Sequence, residues 1–156
     1  MRYLIYCDGS ARNNGYENAV GAWAYVVLDE NGERIAARAE AVKGATNQQM
    51  ELMAAAEALE YIAYNHIVVP FDHVEVCTDS AYLHNCVKQK WYINWQNNGW
   101  KNAKKQPVAN KELWERLIKW FDSPEVDFTK VKGHADNYWN NIVDDLAQTA
   151  SLAAKE

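Results

Sequence analysis

The pattern of hydrophobic and polar positions predicts three β-strands at the start of the chain. Residues 3–7 and 20–28 are rich in β-branched and aromatic side chains, and residues 33–42 alternate apolar with other positions. Asn31-Gly32 lies between the second and third runs, and this dipeptide is typical of a tight hairpin turn. The three runs therefore predict an antiparallel meander.

The spacing of apolar positions then changes to that of a helix. From Thr46 to about Asn65 the chain is rich in Ala, Leu, Met and Glu with helical periodicity, and the four residues from Thr46 have the form of a capping box. Pro70 breaks this helix off. Residues 73–78 predict a strand that leads into a second helix from about Ser80.

The last third of the chain predicts two more helices, one on either side of a strand. Asn110 is a suitable N-cap for the amphipathic helix of residues 111–121, and residues 126–131 predict the final strand. Asn140 or Asn141 is expected to cap a last helix. The element order is β-β-β-α-β-α-α-β-α, which predicts an α/β fold with a five-stranded mixed sheet and helices packed on it.

Length and composition fit one globular domain. The 156 residues match the usual size of a single domain, so we expect residues 1–156 to fold together. No apolar run approaches the ~20 residues of a membrane helix, and the first ten residues lack the hydrophobic region of a signal peptide. The three cysteines match neither a disulfide framework nor a zinc motif. These observations favour a cytoplasmic protein without a membrane partner.

Charge is distributed unevenly along the chain. The net charge is −5, but residues 88–119 carry eight basic and two acidic side chains, so this segment is +6 and the remainder is −11. The segment and the residue after it contain five of the seven tryptophans: Trp91, Trp95, Trp100, Trp114 and Trp120. Basic residues among aromatic rings suit the backbone and bases of a nucleic acid. Trp91, Trp95 and Trp114 also fall at helical spacings beside apolar residues, so core packing is an alternative.

Four acidic residues lie where predicted elements begin or end: Asp8, Glu51, Asp79 and Asp144. The ends of neighbouring strands and the helix starts beside them can meet at one edge of a sheet. Carboxylates gathered there would repel one another unless divalent cations neutralise them. Mg²⁺ fits best, because it binds through a few carboxylates together with water and phosphate oxygens. The four acids therefore indicate a Mg²⁺ site.

Each acid also has an ordinary structural interpretation. Asp8 precedes a glycine and could form a turn, Glu51 could be a solvated helix residue, and Asp79 could be an N-cap. Asp144 or Asp145 could lie near a helix N-terminus, where a negative charge is favourable. Glu51 is the least easily explained in this way, because its apolar neighbours in the sequence would make an unpaired carboxylate costly.

Several longer segments carry a resemblance to a known family. They occur in this order: YCDGSARNNG, ATNQQMELMAAAEALE, VEVCTDSAYL, KWYINWQNNGWKNAKKQPVANKELWERL, VKGHADN and NNIVDDLA. In order and spacing they resemble the ribonuclease H type 1 family in its bacterial form, from about Tyr3 to Ala150. The resemblance implies an endonuclease that hydrolyses the RNA strand of an RNA/DNA hybrid with two Mg²⁺ ions.

The resemblance also implies roles for individual residues. The four acids match the family's catalytic acids, which hold the two ions, and Asp8 matches the one that bridges them. His134 matches a loop histidine that carries a proton or aids product release. The match of VDDLA to the family's DxLA pattern selects Asp144 over the adjacent Asp145.

Substrate contacts follow from the same resemblance and from the charge pattern. A hybrid displays 2′-hydroxyls in its minor groove, and Glu51 is placed to touch one of them. The residues matched to the minor groove are Asn14, Asn47 and Gln48. Those matched to the DNA strand are Trp91 and a phosphate pocket made by Thr46 and Asn110. We also expect phosphate contacts from three lysines of the basic segment: Lys101, Lys104 and Lys105.

Two departures from the family pattern bear on affinity. Residues 95–100 (WQNNGW) replace a run of Lys and Arg, which predicts weaker hybrid binding, and Ala81 stands where the family often has Gln. Two other functions remain as alternatives. Another polynucleotidyl transferase of this fold should lack the Trp- and Lys-rich segment, and a module that only binds hybrids should lack one of the acids. We expect a monomer with a Trp- and Lys-rich protrusion at about residues 88–110.

Overall fold

The computed structural model describes residues 2–12, 19–65, 73–131 and 137–154. Within these segments, five strands form one mixed sheet: β1 (Arg2–Arg12), β2 (Val20–Leu28), β3 (Arg34–Lys43), β4 (His73–Thr78) and β5 (Val126–Lys130). Their order across the sheet is β3-β2-β1-β4-β5. β2 is antiparallel to both β1 and β3, whereas β4 is parallel to both β1 and β5. The predicted five-stranded mixed sheet is confirmed.

Five helices are present in the same described segments: α1 (Asn47–Tyr64), α2 (Ala81–Gln89), α3 (Trp91–Asn97), α4 (Lys111–Phe121) and α5 (Tyr138–Ala154). The predicted element order lacks α3 and is wrong there. Lys90 has a left-handed backbone with φ of 56°, so it ends α2 and a separate helix begins at the next residue. In the part of the chain described, no helix is both long enough and apolar enough to cross a membrane.

The sheet buries apolar side chains on both faces. Alternate residues of β1 belong to different cores: Tyr3 and Ile5 pack in the core that includes α1, whereas Leu4 and Tyr6 pack against the core that includes α5. This alternation follows from the two-residue period of a strand. Burial of one large apolar side chain contributes about 1.5–3 kcal/mol, so both layers hold helices firmly against the sheet. Asp8 continues the series of Leu4 and Tyr6 and therefore lies on the α5 face.

β1 is longer than the sequence predicts. Its parallel pairing with β4 ends at Cys7 and Thr78, whereas its antiparallel pairing with β2 continues past Asp8 to the end of the strand. The expectation that Asp8 ends the strand is therefore wrong: Asp8 lies inside β1, at the point where its parallel partner stops. Residues 8–12 are mostly polar or small and suggest a loop, but pairing with β2 keeps them in the sheet.

Two predicted local signals are confirmed. Thr46 caps α1, because its hydroxyl accepts a hydrogen bond from Gln49 N at 3.1 Å while Gln49 Oε1 accepts one from Thr46 N at 3.4 Å. Asn31-Gly32 lies in the hairpin between β2 and β3, where Gly32 N donates to Asp29 O at 3.0 Å. Gly32 has a φ of 78°, a backbone conformation that favours glycine.

Asn110 stands at the predicted N-cap position of α4, but the predicted cap of α5 is wrong. α5 begins before both Asn140 and Asn141, and Asn137 caps it by accepting a hydrogen bond from Asn140 N at 3.0 Å. The helix starts earlier because Trp139 already packs against the core on this face. Asn110 does precede α4, but its backbone is left-handed with φ of 63° and its side chain makes no capping hydrogen bond.

Candidate active site

The four acidic residues singled out in the sequence line one cleft at the edge of the sheet. The cleft has a volume of about 270 Å³ and lies where β1 continues beyond the end of β4. Its lining residues come from β1, α1, α5 and the turn after β4: Asp8, Gly9, Ser10, Asn47, Glu51, Asp79, Asn140, Asn141 and Asp144. Acids that are far apart in the sequence thus meet at one place.

Asp8 and Asp144 form the part of the cleft between β1 and α5. Asp8 is only 7% exposed, and its carboxyl group lies close enough to that of Asp144 for the two to interact. Burial raises the pKa of Asp8 well above its ordinary value; the charge of Asp79 and then the contact with Asp144 raise it further, and the Gly9 backbone lowers it. Gln148 Nε2 donates to Asp144 Oδ2 at 3.1 Å from the next turn of α5. Two carboxyl groups this close favour a shared proton or a bound cation.

Glu51 reaches the cleft from α1, on the opposite face of the sheet. Ser80 Oγ donates a hydrogen bond to Glu51 Oε2 at 2.6 Å. Burial raises the pKa of Glu51, the bond from Ser80 lowers it, and the charge of Asp79 raises it. Sequence reasoning missed Ser80, and its place beside Asp79 in the TDS segment was the available signal. The solvated-residue interpretation of Glu51 is therefore wrong.

Asp79 lies in the turn between β4 and α2. Its interpretation as an N-cap is wrong, because Ser80 Oγ accepts a hydrogen bond from Leu83 N at 3.1 Å and so caps α2. Asp79 is half-buried and lines the cleft instead. The last parallel pair of β1 and β4, Cys7 with Thr78, comes immediately before Asp8 and Asp79. The two acids therefore start from the same height on neighbouring strands, which lie about 4.8 Å apart.

A close approach between β1 and α1 brings Glu51 to the cleft. A Cβ atom at Gly9 would overlap the backbone C and O atoms of Met50 and would lie 2.5 Å from Glu51 N. Glycine at this position therefore lets the helix rest directly on the strand. Ala11 N donates to Asn47 Oδ1 at 2.6 Å, which adds a hydrogen bond between β1 and the start of α1.

The donor atoms of the cleft fit a hard divalent cation. They are mainly carboxylate and amide oxygens, and Asn140 Oδ1 is buried with no hydrogen-bond partner among the described residues. Oxygen ligands favour Mg²⁺ over softer metals. Throughout the described segments, no three His, Cys, Asp or Glu side chains are gathered into one compact metal-binding group. The cleft thus offers suitable ligands that must draw together around an ion.

The structure separates the two neighbouring aspartates of α5. Asp144 lines the acidic cleft. Asp145 is exposed and borders a different, more apolar cavity, together with Ile142 and Leu146 of α5 and Ala39 of β3. The geometry therefore agrees with the choice of Asp144 from the sequence.

Two of the residues expected to contact the minor groove are described by the structure, and both lie at the start of α1. Asn47 lines the cleft, and Gln48 is exposed beside it in the chain. Thr46, expected in a phosphate pocket, is exposed and caps the same helix. Asn14 and His134 lie outside the described residues.

The basic segment folds around a group of aromatic rings. Trp114 is fully buried, and its ring centroid lies 5.4 Å from that of Trp95. Trp91 is half-buried, with its ring centroid 6.3 Å from that of Trp95. A cavity of about 600 Å³ is lined by Trp91, Trp95 and Lys101, together with several asparagines. Core packing is therefore the correct interpretation of Trp114, whereas Trp91 and Trp95 pack on the core and also border this cavity.

The other predicted contacts of the basic segment differ in exposure. Lys101, Lys104 and Lys105 are all exposed, and Asn110 is half-buried. The backbone N of Lys101 donates a hydrogen bond to Asn98 Oδ1 at 3.0 Å within the loop after α3. The three lysine side chains are thus placed on the surface, where they can meet a polyanion.

A mixed α/β sheet with an acidic cleft at one edge defines the class of this protein, and known proteins of similar sequence define its family. A model of the RNase H family matches residues 1–152. The ribonuclease H of Clostridium botulinum (strain Hall) is 44% identical over 149 residues, which cover 96% of this chain and 95% of that protein. The ribonuclease H of Syntrophomonas wolfei is 41% identical over 147 residues, which cover 94% of each chain. The chain belongs to the RNase H family.

A solved structure shows the same fold. The crystal structure of LC11-RNase H1 in complex with RNA/DNA hybrid matches with a TM-score of 0.74 and 22% sequence identity, over 99% of each chain. The arrangement of sheet and helices is therefore that of an RNase H fold, as the sequence predicts.

Proposed function

We propose that this chain hydrolyses the RNA strand of RNA/DNA hybrids. Its family and the names of its bacterial relatives support this activity, and LC11-RNase H1 has been crystallised with such a hybrid. The observation that carries the proposal is the cleft that Asp8, Glu51, Asp79 and Asp144 line together. Hydrolysis requires this set of acids, whereas a module that only binds the hybrid does not.

The acids are proposed to hold two Mg²⁺ ions, for which Mn²⁺ can substitute. Asp8 lies close to both Asp144 and Asp79, and both raise its pKa. This central position would suit a ligand shared by both ions. Asp144 would complete the ligands of one ion, and Glu51 and Asp79 those of the other. When bound, such a pair of ions activates the attacking water and stabilises the leaving 3′-oxygen. His134 would carry a proton on one of its ring nitrogens near the attacking side.

The hybrid is proposed to lie along the cleft and the basic segment. Minor-groove contacts would come from Asn14, Asn47 and Gln48. The DNA strand would meet Trp91, Thr46 and Asn110, and its phosphates or those of the RNA would meet Lys101, Lys104 and Lys105. Glu51 would also accept a hydrogen bond from a 2′-hydroxyl, which is the group that distinguishes RNA from DNA.

We further propose that residues 1–156 act as one monomeric catalytic domain in the cytoplasm, with residues 88–110 as its protrusion. Cys7, Cys77 and Cys86 are buried and free, and burial raises the pKa of each thiol. Unpaired, unreactive thiols suit a reducing compartment.

Matched substrates test the proposed activity. An RNA/DNA hybrid, duplex RNA and duplex DNA of one sequence are each incubated with the protein, in Mg²⁺ and in EDTA. We expect cleavage of the RNA strand of the hybrid in Mg²⁺ and none of the other strands, while Asp8→Asn leaves all three substrates intact. Cleavage of duplex DNA would instead indicate another polynucleotidyl transferase. Binding of the hybrid without cleavage would indicate a binding module, and either result would overturn the proposal.

A further inference from the structure

The hydroxyl group of Ser80 makes two hydrogen bonds in a buried position. Ser80 is 2% exposed, its Oγ accepts a hydrogen bond from Leu83 N at 3.1 Å, and it donates one to Glu51 Oε2 at 2.6 Å. A hydroxyl has a single proton. Leu83 N–H can only donate to Oγ, whereas the Glu51 carboxylate accepts, so the proton is directed to Glu51. The N-cap of α2 and the anchor of Glu51 are therefore the same atom.

The backbone around Ser80 is held as firmly as its side chain. Ser80 N donates to Thr78 Oγ1 at 3.1 Å, and Thr78 is also 2% exposed. Ser80 has φ of −76° and ψ of 111°, the extended conformation usual at an N-cap. Glu51 lies on α1, so the bond from Ser80 ties α1 to the junction of β4 and α2. The hydroxyl can thus fix the position of a carboxylate that belongs to another element.

We infer that Ser80 is a positioning residue for the proposed hydrolysis, because it holds Glu51 Oε2 and thereby orients Glu51 Oε1 for a cation or a 2′-hydroxyl. The inference rests on the proposed function and adds Ser80 to the residues named there. A hydrogen bond from a hydroxyl to a carboxylate is short and strong, as the 2.6 Å distance shows. Partners that orient metal ligands typically change metal affinity or activity 10- to 100-fold when they are removed.

Three substitutions separate orientation from helix capping. Ser80→Ala removes both hydrogen bonds of the hydroxyl. Ser80→Gly also removes them, but glycine is well tolerated at an N-cap, so this variant keeps the protein folded. Ser80→Thr retains the hydroxyl and should retain both bonds. Ser123→Ala is the matched control, because Ser123 Oγ donates to Glu125 Oε2 at the same 2.6 Å, beside the start of β4 and away from the cleft.

The main readout is Mn²⁺ binding by calorimetry without any hybrid present, followed by kcat and KM on the hybrid. Ser80→Ala and Ser80→Gly should weaken Mn²⁺ binding about 10-fold or more and lower kcat with little change in KM. Ser80→Thr should stay within about threefold of the wild type, and Ser123→Ala should match it. In a Glu51→Gln background, Ser80→Ala should change Mn²⁺ affinity by less than about twofold, since the partner through which it acts is altered.

Three outcomes would overturn the inference. They are wild-type Mn²⁺ affinity in both Ser80→Ala and Ser80→Gly, a loss in Ser80→Thr as large as that in Ser80→Ala, or an undiminished effect of Ser80→Ala in the Glu51→Gln background. A wild-type protein that binds Mn²⁺ but leaves the hybrid intact would refute the proposed function, and the ion-binding series would still decide the role of Ser80.

Discussion

The carboxyl groups of Asp8 and Asp144 lie close enough to interact in one cleft, although the two residues are near opposite ends of the chain. The strand period of β1 directs Asp8 to the face on which α5 packs, and α5 brings Asp144 to the same cleft. Burial and the neighbouring acids keep the pKa of Asp8 above its ordinary value of 3.8. Two ionised carboxylates without a cation are therefore unfavourable at this position, and binding of a divalent cation would release the proton that they hold.

This contact predicts how stability depends on pH without divalent ions. Because the pKa of Asp8 is higher in the folded than in the unfolded protein, the folded protein binds more protons between the two values. The contribution of Asp8 to the free energy of unfolding therefore falls as the pH rises above about 4. Asn does not titrate, so Asp8→Asn does not suffer this decline and should gain stability relative to the wild type as the pH rises from 5 to 8.

Urea unfolding in EDTA at these two pH values measures the effect. One pKa unit corresponds to about 1.4 kcal/mol, so the advantage of Asp8→Asn should grow by at least about 1 kcal/mol from pH 5 to pH 8. Addition of Mg²⁺ at pH 8 should reduce the stability advantage of Asp8→Asn, because a cation then lies between the carboxylates of the wild type. An advantage that does not change with pH would show that the Asp8 carboxyl is not destabilised by its surroundings.

The two aspartates of α5 should differ sharply in their importance. Asp144→Asn is expected to lower kcat/KM at least about 100-fold, in line with the loss of a metal-linked group, because Asp144 lines the cleft. The kcat/KM of Asp145→Asn should stay within about threefold of the wild-type value, because Asp145 is exposed beside another cavity and substitutions at the surface usually have small effects. Steady-state kinetics on a hybrid compares the two variants. A larger loss in Asp145→Asn would mean that the assignment within the pair is wrong.

Replacement of Lys101, Lys104 and Lys105 by alanine should weaken binding without impairing the chemical step. Each phosphate contact contributes about 0.7 to 0.9 to the slope of log K against log salt. The triple variant should therefore flatten this slope by up to about two to three units, raise KM and leave kcat nearly unchanged. Hybrid titrations over a salt series measure both proteins. Equal slopes and equal KM values would assign these lysines to a solvated surface alone.

Features that depend on near neighbours in the chain could be predicted from the sequence. Residues 73–78 form β4 as expected, and the capping box at Thr46 is present, because strand period and caps are local signals. The cleft itself followed from four acids at the ends of elements. All four acids line it, although Asp8 lies inside β1 and not at its end.

Features that depend on distant partners could not be predicted in this way. Asp8 remains in a strand because β2 pairs with it, and α5 begins early because Trp139 packs on the sheet. The hydrogen bond from Ser80 to Glu51 joins two residues that are 29 positions apart in the chain. No local pattern shows which neighbour will meet a side chain across such a distance.

The measurement that tests the central claim most directly is the chemical identity of the ends formed when the hybrid is cut in Mg²⁺. If water attacks the phosphorus and the 3′-oxygen leaves, the RNA fragments carry 5′-phosphate and 3′-hydroxyl ends. Attack by the neighbouring 2′-hydroxyl would instead give 2′,3′-cyclic phosphates. Mass spectrometry of the fragments should show 5′-phosphate and 3′-hydroxyl ends, with no fragments in EDTA. Detection of 2′,3′-cyclic phosphates, or full activity in EDTA, would contradict the account.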